Sequence, residues 1–153
     1  MITLNIVSVG NLKDKFFTEA QCEYVKRLSK FCTVNIIELN ECTKMSDIPT
    51  ILKTEAEEIV KHLKGYKVAL DVQGKIFTSE EWAKKIDNIL SSGSSTITLI
   101  IGGSHGLDES IKQNADLRLS FSAFTFPHRL MRIILLEQMY RAMCILNNIT
   151  YHK

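Results

Sequence analysis

Three stretches of the sequence hold residue types whose spacing could do chemistry. The first is IIGGSHG at 100–106, where glycines directly follow an apolar run. Backbone without side chains lets a ligand approach N–H groups that a Cβ would shield. The stretch is neither Gly-x-x-x-x-Gly-Lys-Ser/Thr nor Gly-x-Gly-x-x-Gly, so neither a triphosphate loop nor a dinucleotide fingerprint is indicated. It does fit Gly-x-Ser-x-Gly, which admits a serine hydrolase built from Ser104, Asp108 or Asp116, and His128 or His152. A glycine turn that only closes a strand-to-helix connection is the plainer alternative. The second stretch is SFSAFTFPHRLMR at 120–132. Phe121, Phe124 and Phe126 could wall a flat ring while Ser122 and Thr125 offer hydrogen bonds, although by themselves three Phe at a strand end read as core. The third is EQMYRAMCILNNITYHK at 137–153, in which Glu137 and Arg141 stand at the i, i+4 spacing of a helix-face ion pair. The last residues, Tyr151, His152 and Lys153, read as a frayed end. His105, His128 and His152 nevertheless fall in the same third of the chain as the glycine stretch.

The elements that must position these stretches alternate. TLNIVSVG reads as a buried first strand, VNIIEL at 34–39 as a second, KVALD at 67–71 as a third with VQGK as its turn, TITLII at 96–101 as a fourth buried on both faces, and LRLSFS at 117–122 as a last. Between them, Phe16, Ala20, Tyr24 and Leu28 form one apolar helical face. Ile48, Leu52, Ile59 and Leu63 form another, on a helix with Pro49 in its first turn, Lys61, His62 and Lys64 in its last, and Gly65 as its stop. Thr78 and Glu81 have capping-box spacing before a helix carrying Trp82, Ile86 and Leu90. A short helix follows the glycines, and Arg129 to Asn147 forms one long helix, apolar around most of its girth, which the core or a partner subunit must cover. The expected fold is a single α/β domain over 1–153, with a mostly parallel sheet flanked by helices and ligands at the carboxyl ends of its strands.

The bulk numbers set bounds. A chain of 153 residues with 45% hydrophobic and 24% charged residues is ordinary globular composition, sufficient for one core. Its net charge of +2 does not by itself announce a nucleic-acid binder, but from Pro127 onward Arg129, Arg132, Arg141 and Lys153 face Glu137 alone. The opening MITLNIVSVG has no basic segment, long apolar run or cleavage site, and no stretch reaches the ~20 apolar residues of a membrane span. The cytoplasm is therefore the expected compartment and no membrane partner is expected. Cys22, Cys32, Cys42 and Cys144 form no Cys-x-x-Cys pair and read as free thiols, with no clustered ligands for a metal.

LDVQGK with TSEEWA, IIGGSHG, LSFSAFTFPHRLMR, LLEQMYRA and the closing YHK, in that order and essentially end to end, resemble the RlmH-type methyltransferases of large-subunit ribosomal RNA, the smallest SPOUT proteins. The resemblance implies a deep trefoil knot in the C-terminal third, which topology rules alone argue against. It implies S-adenosyl-L-methionine as methyl donor, a homodimer, and as substrate a pseudouridine in a stem-loop of 23S ribosomal RNA, methylated at N3 on assembled ribosomes. Carried over by position, the donor-binding residues are Leu70, Gly102, Phe121, Ser122, Ala123, Phe124, Thr125 and Phe126. His128, Arg132 and Arg141 are expected to line the substrate side as catalytic residues, with Tyr151 and His152 reaching in from the partner subunit. His105 and Arg129 fall at variable positions of the family pattern and are assigned no role.

Overall fold

Alternation of side chains along the strands decides where the helices lie. The computed structural model describes residues 1–153 and contains, in chain order, β1 (Ile2–Val9), α1 (Lys15–Leu28), β2 (Cys32–Leu39), α2 (Ile48–Val60), β3 (Tyr66–Ile76), α3 (Ser79–Ser91), β4 (Thr96–Ile101), α4 (Glu109–Asn114), β5 (Leu117–Ser120) and α5 (His128–Leu146). The strands form one parallel sheet in the order β2-β1-β4-β3-β5. Leu4 and Ile6 of β1, Val68 of β3 and Ile97, Leu99 and Ile101 of β4 share one face, packed against Leu28, Trp82, Ile86, Leu135 and Met139 of α1, α3 and α5. The intervening Val7, Val9, Ala69 and Ile100 face α2 and α4 through Ala56, Ile59 and Ile111. TITLII forms β4 residue for residue, and its last five residues are buried, as befits a strand covered on both faces.

Local chemistry sets the boundaries. Thr78 Oγ1 accepts from Glu81 N at 3.1 Å while Glu81 Oε2 accepts from Thr78 N at 2.8 Å, completing the capping box of α3. Asp47 caps α2 by accepting from Thr50 N at 3.2 Å. That helix ends at Val60, short of the expected stop, so Lys61, His62 and Lys64 lie beyond its last turn. Its inward face is Ile51, Ala56 and Ile59, whereas Ile48 is exposed, as is Phe16 on α1. Gly65 does mark the turn, at φ +63°, and a Cβ there would lie 2.1 Å from the carbonyl oxygen of Thr96.

Two departures from the expected strands shape the carboxyl end of the sheet. The residues read as a turn, VQGK, belong to β3, which continues to Ile76 through a bulge: both Leu70 and Lys75 register with Leu119 of β5. Asp71 anchors the bulge, lying 3.8 Å from both Lys112 and Arg118. The last strand ends at Ser120, leaving 121–127 as irregular backbone that carries the chain from the sheet edge to α5. On α5, Leu135, Leu136, Met139, Ala142, Met143 and Cys144 are buried, so the chain's own α1, α3 and β4 cover most of the apolar girth.

One buried hydroxyl ties the α2-to-β3 connection to the central strand. Thr98 Oγ1 donates to the carbonyl oxygen of Lys64 at 2.6 Å and accepts from its N–H at 3.3 Å. Thr98→Val keeps the shape and removes both bonds to the Lys64 backbone. It is expected to lower the unfolding free energy by about 1–3 kcal/mol in urea titration.

Candidate functional site

The carboxyl ends of β3, β4 and β5 open into a cavity of about 590 Å³, a volume in the usual range for small-molecule sites. Its floor is the glycine turn after β4. A Cβ on Gly102 would lie 2.4 Å from the carbonyl oxygen of Gly106, and one on Gly103 would lie 2.8 Å from Glu41 Oε1. Gly106, at φ +80°, closes the turn by donating to the carbonyl oxygen of Gly103 at 3.1 Å. Only a glycine at 102 lets the main chain pack this closely on Gly106, so the turn presents chiefly backbone, with Ser104 beside it, to the cavity.

The wall opposite is the segment after β5. Ser120 Oγ donates to the carbonyl oxygen of Ser122 at 3.0 Å, and Ser122 Oγ accepts from Phe124 N at 3.1 Å, which folds the segment back on itself. Of the residues expected to hold a donor, Leu70, Gly102, Phe121, Ser122, Phe124, Thr125 and Phe126 line the cavity and Ala123 does not. Phe124 stands 77% exposed at the rim. Apolar walls with a few hydroxyls over bare backbone suit a ligand with a flat ring and a polar end.

The serine-hydrolase constellation is not assembled. Ser104 Oγ donates to Glu41 Oε1 at 2.7 Å, Asp108 accepts from Ser110 N at 3.0 Å, Asp116 accepts from Lys67 N at 2.7 Å, and His152 Nε2 sits 2.7 Å from Glu80 Oε1. No histidine is bonded to Ser104, so nothing is placed to take its proton.

His128 starts α5 and lines the cavity. Burial pushes its pKa below the ordinary histidine value, against an opposing pull from Glu41, so the ring is neutral near pH 7. Its Nε2 is buried without a partner and packs on Gly10, whose φ is +97° and whose hypothetical Cβ would lie 3.3 Å away. Neither of the two nearby arginines lines the cavity. Arg132, expected on the substrate side, is 1% exposed, with Nη1 donating to Glu38 Oε2 at 2.6 Å and to Gln21 Oε1 at 3.1 Å and Nη2 donating to the carbonyl oxygen of Gly10 at 3.0 Å. Arg129 is half-buried and lies 3.9 Å from Asp14.

The final residues are docked, not frayed. Glu137 accepts from Arg141 Nη2 at 2.6 Å, Arg141 Nε at 3.0 Å and Tyr151 Oη at 3.0 Å. Burial and the bond to Glu137 push the Tyr151 phenol up to about 12. Arg141 Nη1 lies 3.2 Å from His152 Nδ1, which must accept, and Nε2–H is then free to donate to Glu80. Within one chain this cluster is built on α5 and the start of α3, and Arg141, Tyr151 and His152 are not among the cavity-lining residues. Sequence reasoning passed over Glu41 and Asp71, whose partners lie far away along the chain. No group of three or more His, Cys, Asp or Glu stands close enough to hold a metal ion, and no helix is long and apolar enough to cross a membrane.

Residues 2–152 match the family model described as "Predicted SPOUT methyltransferase". The chain is 44% identical, over 99% of its length and all of the relative's, to ribosomal RNA large subunit methyltransferase H of Fusobacterium nucleatum. It is 45% identical, with the same coverage, to the protein of that name from Clostridium botulinum strain Okra. Among solved structures, a probable methylase family protein from Haemophilus influenzae superposes with a TM-score of 0.56 at 12% identity, covering 99% of this chain and 70% of the other. The SpoU methyltransferase AviRb from Streptomyces viridochromogenes, solved with AdoMet, gives 0.50 at 9% identity over 92% and 58% of the two chains. At these identities the two structures speak for the fold.

These two arginines give a direct contrast. Arg132→Met removes the ion pair with the exposed Glu38 and the hydrogen bonds to Gln21 and the Gly10 carbonyl, and is expected to cost about 1–3 kcal/mol of stability. Arg129→Ala, at an ion pair open to solvent, should stay within about 0.5 kcal/mol of wild type in the same denaturation series.

Proposed function

This chain belongs to the SPOUT methyltransferase family, and we propose from that premise that it methylates N3 of a pseudouridine in a stem-loop of large-subunit ribosomal RNA, on the assembled ribosome in the cytoplasm, as a homodimer. Full-length relatives that carry the name ribosomal RNA large subunit methyltransferase H support the RNA class. The observation that carries the reading is the single cavity in which a glycine turn, Leu70 and the aromatic segment 121–126 meet at the carboxyl end of a parallel sheet. S-adenosylmethionine, when bound there, supplies a methyl group already activated on a sulfonium. The backbone of Gly102, Gly103 and Gly106 and the hydroxyls of Ser122 and Thr125 would hold its polar groups, and Phe121 and Phe126 its ring.

The protein's own contribution is then positioning and handling of one proton. Alignment of the attacking nitrogen with the methyl group supplies several kcal/mol without covalent help. The imide N3–H must be lost, and His128 is the cavity-lining histidine kept neutral by burial, so it takes the role of acceptor. Arg132 acts through position: by gripping Gly10 it sets the surface on which His128 rests. Arg141, Tyr151 and His152 belong to the substrate side in the dimer, where a two-fold operation brings one tail cluster to the other cavity. Apolar side chains left open at the start of α1 and α5, Phe16 and Leu130, favour such an interface. The path of 121–127 from the sheet edge to a helix lodged between α1 and α3 accommodates the trefoil knot implied for the family. A non-catalytic RNA-binding module would leave the glycine cradle without a purpose.

S-adenosylmethionine at ~100 times its Kd should add about 2.7 kcal/mol to stability and raise the melting temperature. Gly102→Val should abolish that shift, because its side chain runs into the Gly106 backbone and the turn cannot close. Failure of wild type to shift would refute the donor assignment. Mass spectrometry of ribosomal RNA from a deletion strain should show one pseudouridine lacking its methyl group.

His128→Asn should bind donor as wild type does and lose most of kcat. Because the folded pKa of His128 lies below the ordinary value, wild-type activity should hold as pH falls through that value and decline only lower. An acid limb unchanged in His128→Asn would assign the proton elsewhere.

Mixing a chain lacking Tyr151, His152 and Lys153 with a full-length Gly102→Val chain tests the shared site. Each homodimer should be inactive, and heterodimers should regain one working site. Heterodimers that form without activity would place the tail's action in cis.

A further inference from the structure

The loop between β2 and α2, residues 40–47, is absent from the cavity lining, yet it sends one carboxylate onto the turn that forms the cavity floor. Glu41 Oε1 accepts two hydrogen bonds at the apex of that turn, from Ser104 N at 2.9 Å and from Ser104 Oγ at 2.7 Å. The same oxygen occupies the space a Cβ on Gly103 would need, 2.8 Å from that atom's position. A side chain at 103 would push the carboxylate off the turn, so the glycine there makes room for it. These bonds to Ser104 hold the Glu41 carboxyl below the usual carboxylate range, and His128 and Arg129 act in the same direction. The loop is itself fixed from the other side: Glu55, buried on α2, accepts from Cys42 N at 3.1 Å.

Within the turn, the closing bond is the one from Gly106 N to the Gly103 carbonyl oxygen, and Ser104, His105 and Gly106 are exposed. Five residues of which three are glycine lose much conformational freedom when fixed, so a turn tied only by that bond would sample many shapes. A charged acceptor taking two donors at its apex restricts it to one.

We infer that Glu41 is a positioning residue for the methyl donor, its carboxylate clasping the turn 102–106 in the conformation that offers glycine backbone to the cavity. This rests on the donor assignment proposed above. Glu41 does not line the cavity, so its effect falls on donor binding, while its pull on His128 is felt only in the acid limb of the pH profile and not in kcat above it. The clasp is prefolded and independent of RNA.

The test uses the full-length chain, with donor affinity from calorimetry and donor KM and kcat from methylation of ribosomes lacking the modification. Glu41→Ala should raise both Kd and KM for S-adenosylmethionine about tenfold, the loss of roughly one charge-assisted hydrogen bond. Its kcat at saturating donor should stay within about twofold of wild type, as for lost uniform binding. Ser104→Ala, which keeps the backbone bond, should show a smaller rise, and the double variant should be no worse than Glu41→Ala alone. Glu41→Gln keeps an acceptor of the same length and should recover most of the affinity, which also covers the case of a misfolded alanine variant. If wild type binds donor and Glu41→Ala and Glu41→Gln bind it equally well, Glu41 is not a clasp. A fall in kcat with KM unchanged would move it to the reacting side and equally overturn the inference. Absence of donor binding by wild type would instead sink the underlying assignment.

Discussion

A single buried guanidinium holds together the end of the molecule where the site is built. Arg132 reaches from α5 to the Gly10 carbonyl after β1, to Glu38 at the end of β2 and to Gln21 on α1, so four elements share one charge. Removing an arginine from water costs several kcal/mol, and only near-complete pairing offsets it. The geometry therefore tolerates little drift. Gly10, fixed by its carbonyl, becomes the bed on which His128 lies one helical turn earlier. Glu38 extends the arrangement by accepting from Leu12 N at 3.1 Å, which fixes the chain's exit from β1 toward α1. The placement of the cavity's histidine thus follows from a charge that does not itself line the cavity.

The sheet was legible in the sequence where one physical signal dominated. The unbroken apolar run of β4 admits only a strand covered on both faces, and the spacing of Thr78 and Glu81 carries its own hydrogen bonds. The glycine turn was readable as candidate ligand-facing chain, because glycines directly follow a buried strand, whereas segment 121–126 by itself read as core and was singled out only by the family resemblance. Side-chain direction on α5 was not legible. Arg129 and Arg132 are three residues apart on a helix apolar nearly all round, and periodicity does not say which of the two faces inward. The bulge in β3 was missed because Gly74 reads as a turn residue, and nothing local shows that Arg118 on a neighbouring strand needs the space a Cβ would take. Glu41 and Ser104 stand 63 residues apart with no spacing rule between them.

The tail illustrates the opposite case, in which a bland local reading gives way to electrostatics. A terminal tripeptide on its own has nothing to hold it. Here Glu137 is a half-buried acceptor with capacity for several donors, and Arg141 and Tyr151 satisfy it together. Tyr151 also meets the edge of Tyr140 at 4.9 Å between ring centres and lies under the Arg141 guanidinium. The i, i+4 pair expected from the spacing of Glu137 and Arg141 is thus the centre of a network that orders the last turn of chain.

The bond from Arg132 to Gly10 spans 122 residues of sequence. During synthesis β1 leaves the ribosome first, and the helix that covers its face is nearly the last element to emerge. Until then Leu4, Ile6, Leu99 and Ile101 have α1 and α3 above them but lack Leu135, Leu136 and Met139. Local helices can form early, but a core closed by such distant contacts forms slowly, and the unfinished sheet exposes apolar surface while it waits. The nascent chain therefore carries an open apolar face through most of its translation, and that face is covered only once α5 has emerged.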